Sequence, residues 1–167
     1  KPGIIAEYKR KSPSKGIINN WATVEEVTAA YAQYGASGIS VLTDEPFFGG
    51  RLEDLEKATF NEVPLLRKDF TIDEYQLVEA KAYGASVILL IAACLTLQEV
   101  KHLTAAAKNL QLEVLLELHD EEELKHICAD VDLVGINNRN LKTFTVDLEQ
   151  SVRLAEKVGP DFIKVAE

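Results

Sequence analysis

Short apolar runs alternate with amphipathic segments along the whole chain. The runs that predict strands cover residues 4–8, 38–42, 64–67, 86–91, 113–118, 133–136 and 162–166. The segments between them predict helices near 23–35, 51–59, 72–83, 97–109, 120–129 and 147–157. Strands and helices that alternate strictly in this way indicate a parallel sheet with right-handed crossover connections.

Two helix-to-strand junctions share one sequence. Tyr-Gly-Ala-Ser occurs at 34–37 and again at 83–86, each time between a predicted helix and an apolar run. Glycine is the residue that most often ends a helix, because it adopts a left-handed backbone without steric cost. The two copies fit a fold built from repeated units, although chance similarity between two such junctions is an alternative.

Two architectures fit this order of elements, a doubly wound sheet and a (β/α)8 TIM barrel. A doubly wound nucleotide binder carries a glycine-rich turn after its first strand, whereas residues 9–16 read Lys-Arg-Lys-Ser-Pro-Ser-Lys-Gly. The barrel is therefore favoured. Such barrels take roughly 250 residues and eight strands. We therefore expect residues 1–167 to form one incomplete, C-terminally truncated barrel domain with strands one to seven.

The pattern also predicts how several side chains pack. Ile4 and Ile5 belong to a run without a polar face, which is typical of a strand covered on both sides. Trp21 and a stripe of Val27, Tyr31 and Tyr34 have helical spacing and are expected in the core. Expected surface positions are His102, His126 and the first-turn acids Glu121, Glu122 and Glu123, while Cys94 and Cys128 are expected to be mostly buried, reduced thiols.

Charge and composition narrow the class of protein. The chain is 47% hydrophobic and 27% charged, and its longest apolar run, 87–94, is too short to cross a bilayer. With no secretory signal at the start, we expect a soluble cytoplasmic protein. The net charge of −9 argues against nucleic acid or an anionic membrane as partner. Residues 1–16 nevertheless carry +4, which favours a local site for a small anion over a solvated basic tail.

Polar and charged residues follow most of the predicted strands. In a barrel these positions lie at the carboxyl ends of the strands, where active sites are found. Because side chains alternate along a strand, Glu7 and Lys9 are expected on one side and Tyr8 on the other. A plain ion pair at a strand end is the alternative reading of Glu7 and Lys9. The other strand-end residues are Asp44, Glu45, Lys68, Asp69, Glu117, Asn137, Arg139 and Glu167.

Three of these residues have a candidate chemical role. Lys68 follows Arg67, and a lysine near another cation loses some proton affinity, which suits a general acid; a salt bridge to Asp69 is equally compatible. Glu117 lies among leucines, so burial is expected to raise its pKa unless a cation lies beside its carboxylate. Asn137 either orients a substrate group or caps a turn. No cluster of ligand residues predicts a metal, and His119 is at most a supporting residue of Glu117.

Six segments, taken in order, resemble the indole-3-glycerol-phosphate synthase family. They are Ile-Ile-Ala-Glu-Tyr-Lys-Arg-Lys-Ser-Pro-Ser (4–14), Leu-Thr-Asp-Glu-Pro-Phe-Phe-Gly-Gly (42–50), Leu-Leu-Arg-Lys-Asp-Phe (65–70), Leu-Leu-Glu-Leu-His-Asp (115–120), Gly-Ile-Asn-Asn-Arg-Asn-Leu (135–141) and Val-Ala-Glu (165–167). The resemblance implies a tryptophan-pathway carboxy-lyase that closes an indole ring on 1-(2-carboxyphenylamino)-1-deoxyribulose 5-phosphate, an anionic phosphorylated aminosugar. Carbon dioxide and water are released, and no cofactor is implied.

The resemblance also implies roles for individual residues. Lys68 would be the general acid that protonates the substrate ketone, and Glu117 the base for the later proton removal and dehydration. Lys9 would hold the substrate carboxylate beside Glu7, and Asn137 would position the intermediate. Ser12 and Arg139 would help to bind anionic groups, and Phe47, Phe48 and Phe70 would form apolar walls for the aromatic ring. Arg10, Lys11 and Lys15 are expected in a mobile cover over the substrate.

The family continues after Val-Ala-Glu with Ser-Gly-Ile and binds phosphate with loops after its last two strands. We therefore expect residues 1–167 alone to have little synthase activity. One alternative is a related phosphosugar barrel such as a ribulose-phosphate isomerase. Another is a non-catalytic unit that self-associates through an open barrel edge.

Overall fold

The structure, a computed structural model, describes residues 3–138 and 147–167. Seven strands belong to the main sheet, and two short ones form a separate antiparallel hairpin. The main strands are β1 (Ile5–Tyr8), β4 (Gly38–Leu42), β5 (Leu65–Lys68), β6 (Val87–Ile91), β7 (Glu113–Leu118), β8 (Leu133–Ile136) and β9 (Ile163–Ala166), and the hairpin strands are β2 (Lys11–Ser12) and β3 (Gly16–Ile17). Each main strand lies within one residue of a predicted run at both ends.

The helices occupy the predicted intervals between strands, with one exception. They are α1 (Val24–Gln33), α2 (Glu45–Phe48), α3 (Leu52–Ala58), α4 (Glu74–Ala82), α5 (Leu97–Asn109) and α6 (Leu148–Lys157). The predicted helix at 120–129 is a 3₁₀ segment, Glu121–His126, and a second 3₁₀ segment covers Ala92–Cys94. The short helix α2 was not predicted from the sequence; Asp44 caps it, accepting from the Phe47 backbone N at 2.8 Å.

The chain divides into two compact units. The first contains the described part of Lys1–Asp69 together with Val78–Ile88, and the second contains Phe70–Leu77 and the described part of Leu89–Glu167. In the first unit β1 pairs in parallel with β4, β4 with β5, and β5 with the start of β6. In the second unit the strand order continues from β6 to β7, β8 and β9, with parallel β7–β8 and β8–β9 pairs. The strand order therefore follows the chain order, as successive βα units require.

Each unit buries the apolar residues that its strands supply. In the first, Ile39 and Val41 of β4 are fully buried, and so is Leu55 of α3, a helix in contact with β4. In the second, the even-numbered residues Val114 and Leu116 of β7 are fully buried, and so is the odd-numbered Leu115. Burial of both faces explains why these strands read as continuous apolar runs instead of alternating patterns.

Local signals fix where the longer helices begin. Thr23 and Thr96 each form a capping box. The threonine side chain accepts a hydrogen bond from the backbone N–H of the glutamate three residues later, and the side chain of that glutamate accepts one from the backbone N–H of the threonine. After α1 and α4 respectively, Gly35 and Gly84 of the repeated junction have positive φ angles of 84° and 89°. The predicted helix stop is therefore confirmed at both copies.

Three packing expectations are wrong. Ile4 is 69% exposed and Ile5 37% exposed, because β1 lies at the edge of its unit's strand order and has a paired neighbour on one side only. Trp21 and Tyr34 are 79% and 86% exposed. The capped start of α1 directs Val24 and Thr28 inward, at the i, i+4 spacing of one helix face, so the stripe from Val27 to Tyr34 is not the buried one.

No helix within residues 3–138 and 147–167 is both long enough and apolar enough to cross a membrane.

The two copies of the junction provide a matched test of packing. A Cβ on Gly35 would meet no atom within 4 Å, whereas a Cβ on Gly84 would overlap the Thr59 Cγ2. Gly35→Ala should therefore lower the free energy of unfolding only through its left-handed backbone, by about 1–2 kcal/mol. Gly84→Ala should cost about 1–3 kcal/mol more because of the steric overlap.

Urea denaturation measures both losses. Thr59→Ser in the Gly84→Ala background removes the overlapping methyl group and should recover part of the difference. Equal losses for the two alanine variants would contradict the packing argument.

Candidate active site

Glu7 lies between two lysine ammonium groups at the carboxyl ends of its unit's strands. Its Oε1 is 2.6 Å from the Lys9 Nζ, and its Oε2 is 3.7 Å from the Lys68 Nζ. Ser40 donates its hydroxyl to the same Oε2 at 3.4 Å. We call Glu7, Lys9, Ser40 and Lys68 the Glu7 cluster. The expectation that Glu7 and Lys9 share one side of β1 is confirmed.

Strand register explains why these side chains meet. Glu7 is paired with Ser40 across β1 and β4, and Lys68 stands opposite Leu42, two residues beyond Ser40. Residues two apart point to the same face of a sheet, so Lys68 faces the same side as Ser40 and Glu7. The Lys68 side chain is 15% exposed and the Glu7 side chain 29%, so the cluster is partly shielded from water.

The opposite face of β5 carries a second charged network. Arg67, with a side chain 5% exposed, lies 3.1 Å from Asp69 and 3.4 Å from Glu79. Its Nε donates to the Thr43 hydroxyl at 3.2 Å, and that hydroxyl donates to Asp69 at 2.5 Å. Arg67 is thereby held by groups from β5, α4 and the end of β4, which is the arrangement expected of a structural ion pair.

The contacts of Asp69 and the direction of Arg67 bear on two expectations about Lys68. Asp69 binds Arg67 and Thr43, while Lys68 faces Glu7, so the structure favours the Glu7 partner over the Asp69 salt bridge. Arg67 was the neighbouring cation from which we expected a loss of proton affinity at Lys68. It points to the other face, and that premise is wrong. The group that stands beside Lys68 is a carboxylate.

The basic residues after β1 are held by the α2–α3 region. Arg10 forms a bidentate pair with Asp54, which is 3% exposed, and donates to the Gly49 carbonyl at 3.1 Å. Lys11 donates to the Pro46 carbonyl at 2.9 Å. Two of the three cations of the expected cover thus bind the protein itself, whereas Lys15 is exposed.

The residues expected to bind substrate groups lie at several places. Ser12 is in the β2–β3 hairpin, where its hydroxyl accepts from the Lys15 backbone at 3.3 Å. Phe47 is 55% exposed and Phe48 half-buried on α2, in the first unit. Phe70 is 38% exposed and belongs to the second unit. Arg139 lies outside the described residues.

Glu117 is the buried carboxylate of the second unit, with 4% of the residue exposed. Its Oε1 accepts from the Asn137 side-chain amide at 3.1 Å and lies 3.1 Å from the His119 Nε2. On the other side of the ring, the His119 Nδ1 is 3.5 Å from the Glu123 Oε2. We call Glu117, His119, Glu123 and Asn137 the Glu117 cluster. Asn137 contacts Glu117 in the manner of an orienting residue, beyond any role in the turn.

The charges of this cluster are strongly coupled. Burial opposes the imidazolium of His119, but the carboxylates of Glu117 and Glu123 outweigh it and raise the pKa of His119 to about 9. Burial likewise opposes the Glu123 carboxylate, but bonding to His119 and the charge of His126 hold the pKa of Glu123 below its usual value. His119 is therefore an imidazolium at neutral pH, beside a Glu123 carboxylate whose pKa is lowered.

Glycine opposite Glu117 makes room for another strand-end carboxylate. Gly135 is the β8 partner of Glu117, and a Cβ there would lie 2.9 Å from the Glu167 Oε1 and 3.3 Å from the Leu115 Cδ1. The Glu167 side chain thus extends over Gly135, at the end of β9. Any larger residue at 135 would displace it.

The sequence analysis missed part of this cluster. Glu123 is 9% exposed, and His126 is 6% exposed with its Nδ1 3.1 Å from the Glu123 carbonyl, so their surface assignment is wrong. The reason is that Asp120 caps the 3₁₀ segment and turns Glu123 back toward His119. The i, i+4 spacing of His119 and Glu123 was the available signal.

Two expectations on thiols and metals have different outcomes. Cys94 is exposed and Cys128 half-buried, so the expectation of mostly buried thiols is wrong. Within the described part of the chain, no three His, Cys, Asp or Glu side chains come together as a metal site. The absence of a cofactor stays a prediction.

Solved structures with the same fold are barrel enzymes of low sequence identity. A 3-keto-L-gulonate-6-phosphate decarboxylase from Vibrio cholerae gives a TM-score of 0.67 at 14% identity, with 100% of this chain and 88% of that chain covered. An N-acetylneuraminate lyase from Mycoplasma synoviae gives 0.61 at 15% identity, covering 98% of this chain and 61% of that chain. At such identities the likeness shows the fold alone.

The fold and the charged strand ends define a (β/α)8-barrel protein, incomplete in having seven of the barrel strands among the described residues. The expected fold class is therefore confirmed. A sequence model of the indole-3-glycerol phosphate synthase family matches residues 1–167. The chain belongs to that family.

Curated relatives agree with this assignment. An indole-3-glycerol phosphate synthase of Bacteroides thetaiotaomicron is 52% identical over 166 residues, covering 99% of this chain and 64% of the relative. One of Koribacter versatilis is 50% identical over 167 residues, covering 98% of this chain and 64% of the relative. The chain thus spans about two thirds of the length of these relatives. The ribulose-phosphate isomerase alternative finds no support in these matches.

The pKa of His119 predicts how stability depends on pH. The folded-state pKa of about 9 is above the ordinary value of 6.5, so His119 contributes its full stabilisation below about pH 6.5. That contribution, on the order of 3 kcal/mol, is lost as the pH rises through about 9. The free energy of unfolding of the wild type should fall across this window, and His119→Gln should lack this part of the slope.

Urea denaturation at a series of pH values measures both slopes. His102→Gln is the control, because the side chain of His102 is 67% exposed and its only partner shown is Glu74 on the surface. It should keep the wild-type slope. Parallel curves for the wild type and His119→Gln would contradict the assignment.

Proposed function

We propose that the protein acts as an indole-3-glycerol-phosphate synthase of tryptophan biosynthesis. The substrate would be 1-(2-carboxyphenylamino)-1-deoxyribulose 5-phosphate. The observation that supports this most is the placement of Lys68, which lies at the carboxyl end of β5 with a side chain only 15% exposed and faces Glu7. A shielded ammonium at a strand end is suited to general-acid chemistry, and the whole chain matches the family.

Ring closure would use the Lys68 proton. As the aryl carbon that bears the carboxylate attacks the ketone carbon, a carbon–carbon bond forms and negative charge develops on the ketone oxygen. Lys68 would protonate that oxygen, giving a hydroxyl group. Loss of carbon dioxide from the ring carbon that made the attack then restores the aromatic ring, the electron pair of the broken bond returning to the ring.

Lys9 would bind the substrate carboxylate, and Glu7 would hold the ammonium groups of Lys9 and Lys68. Lys9 is the better placed of the two lysines to bind an external carboxylate, since its side chain is 35% exposed. Glu7 contacts both lysines, at 2.6 Å and 3.7 Å, and would hold their ammonium groups in position. A carboxylate between two cations also limits the repulsion between them.

Dehydration would use the Glu117 carboxylate. Water leaves when the new hydroxyl departs with a proton from an acid and a base removes a proton from the adjacent position. Glu117 is 4% exposed and would remove that proton, while Lys9 would donate to the departing hydroxyl. Asn137, which donates to Glu117 at 3.1 Å, would keep the base oriented and position the intermediate.

The remaining roles concern binding. Ser12 and Arg139 would bind anionic groups of the substrate, and Phe47, Phe48 and Phe70 would contact its aromatic ring. The exposed fractions of Phe47 and Phe70, 55% and 38%, leave apolar surface for such contacts. We expect no metal and no organic cofactor in this reaction.

Substitution of the two central residues tests the proposal. Lys68→Ala and Glu117→Gln should each lower turnover by about 10²- to 10⁴-fold, the usual size of a general acid or base contribution. Two proteins are assayed: the chain itself, and a grafted protein in which the chain replaces the matching segment of the Bacteroides thetaiotaomicron relative. Fluorescence of the indole product measures turnover. Survival of a tryptophan auxotroph gives a second readout.

Matched controls separate chemistry from general charge effects. Lys101→Ala removes an exposed lysine of α5, and Glu113→Gln neutralises the exposed first residue of β7. Both should keep turnover near the unsubstituted level. Unchanged turnover in Lys68→Ala or Glu117→Gln would refute the role of that residue, and a grafted protein without synthase activity would refute the function.

We further propose that the chain self-associates through its sheet edges. In the first unit Ile4 is 69% exposed beside β1, and in the second Ile163 is 65% exposed on β9. Edge strands that present apolar side chains tend to pair with other chains. Sedimentation equilibrium should show an oligomer that Ile163→Lys weakens, while Ile72→Lys, at another exposed isoleucine, does not. A monomer at all concentrations would overturn this proposal.

A further inference from the structure

The Glu117 carboxylate is anchored through one of its oxygens. Both the Asn137 amide and the His119 Nε2 lie 3.1 Å from Oε1. The Asn137 amide donates a hydrogen bond to that oxygen and fixes its orientation, whereas the His119 Nε2 makes no hydrogen bond there. An imidazolium at this distance acts through its charge, which stabilises the ionised form of the carboxylate.

His119 is itself fixed from its other side. Glu123 accepts from the His119 backbone N at 2.7 Å, and its Oε2 lies 3.5 Å from the ring Nδ1. The Glu123 backbone in turn donates to Asp120 at 3.1 Å. The ring is therefore held between two carboxylates, with 12% of its side chain exposed.

Other groups around the His119 ring are neutral or act on Glu123 instead of on His119. The Gln150 amide of α6 donates to the His119 carbonyl at 3.2 Å. Cys94, from the first 3₁₀ segment, is neutral, because partial desolvation of its thiol, although the residue is exposed overall, and the charges of Glu117 and Glu123 raise the pKa of that thiol. His126 acts on Glu123 from the second 3₁₀ segment. Among the described contacts, Glu117 and Glu123 are the charged groups that face the ring.

We propose that His119 is a positioning residue for Glu117, which it holds ionised through its charge, and that Glu123 in turn holds His119. The inference rests on the proposed function for its catalytic consequence, since Glu117 is there the base. It goes beyond that function because His119 and Glu123 act through Glu117 and do not touch the substrate. A base that must accept a proton from carbon benefits from being ionised before the substrate binds.

Titration of the chain by NMR tests the electrostatic part without substrate. The chain has three histidines, and the signal lost in His119→Gln identifies His119. Its pKa should be about 9 in the wild type and should fall toward 6.5 in Glu117→Gln and in Glu123→Gln. Glu122→Gln, which removes an exposed charge from the same 3₁₀ segment, should leave it unchanged.

The Glu117 carboxyl, followed through its side-chain carbonyl carbon, provides the decisive readout. Its pKa should rise in His119→Gln, because that variant removes the cation that favours the ionised form. It should not rise in Glu123→Gln, because His119 stays protonated where a carboxyl titrates and a neighbouring negative charge is lost. If His119→Gln does not fold, the His119 pKa of the wild type and of the two glutamate variants still decides. A His119 pKa near 6.5 in the wild type, or a Glu117 pKa that His119→Gln does not raise, would overturn the proposal.

Turnover of the grafted protein tests the catalytic part. His119→Gln should lower kcat with KM unchanged and move the acid limb of the kcat profile to higher pH. A merely structural role for His119 would lower the folded fraction without moving that limb, and an unmoved limb would overturn the catalytic claim. A grafted protein without activity would refute the proposed function, whereas the NMR titration would still decide whether His119 holds Glu117.

Discussion

Removing a charge from water costs several kcal/mol, and the charged side chains of this protein are arranged around that cost. Glu7 lies between Lys9 and Lys68, and Arg67 lies against Asp69 and Glu79. The fully enclosed charges are those with the most partners, whereas Lys9 has a side chain that is 35% exposed. The charges that are most withdrawn from water are thus the ones seen held between opposite charges.

The same constraint explains the two faces of β5. Thr43, Asp69 and Glu79 surround the Arg67 guanidinium, whose fork of donors suits several acceptors at once. Lys68, one residue on, has a compact ammonium and faces Glu7. Neighbouring cations on one short strand thus have separate partners, because the pleat directs them to opposite sides.

The element order and most strand boundaries could be predicted from the sequence, because apolar runs buried on both faces leave a strong local signal. The pairing of Glu7 with Lys9 could also be predicted, since it depends on strand alternation alone. The burial of His126 and the contact between His119 and Glu123 could not, because they depend on a 3₁₀ segment where a regular helix was expected. The exposure of Trp21 could not be predicted either, because Trp21 lies in the segment before the cap of α1, where helical spacing does not apply.

The alternation along β5 has a consequence for how the family can vary in length. The register of β5 against β4 places Val41 opposite Arg67 and Leu42 opposite Lys68. Inserting or deleting one residue within β5 would exchange the two faces, presenting a guanidinium to Glu7 and burying an ammonium among Asp69 and Glu79. Length changes that preserve both the charge pairs and the ammonium beside Glu7 are therefore confined to turns such as residues 13–15 of the hairpin, where no face is inverted.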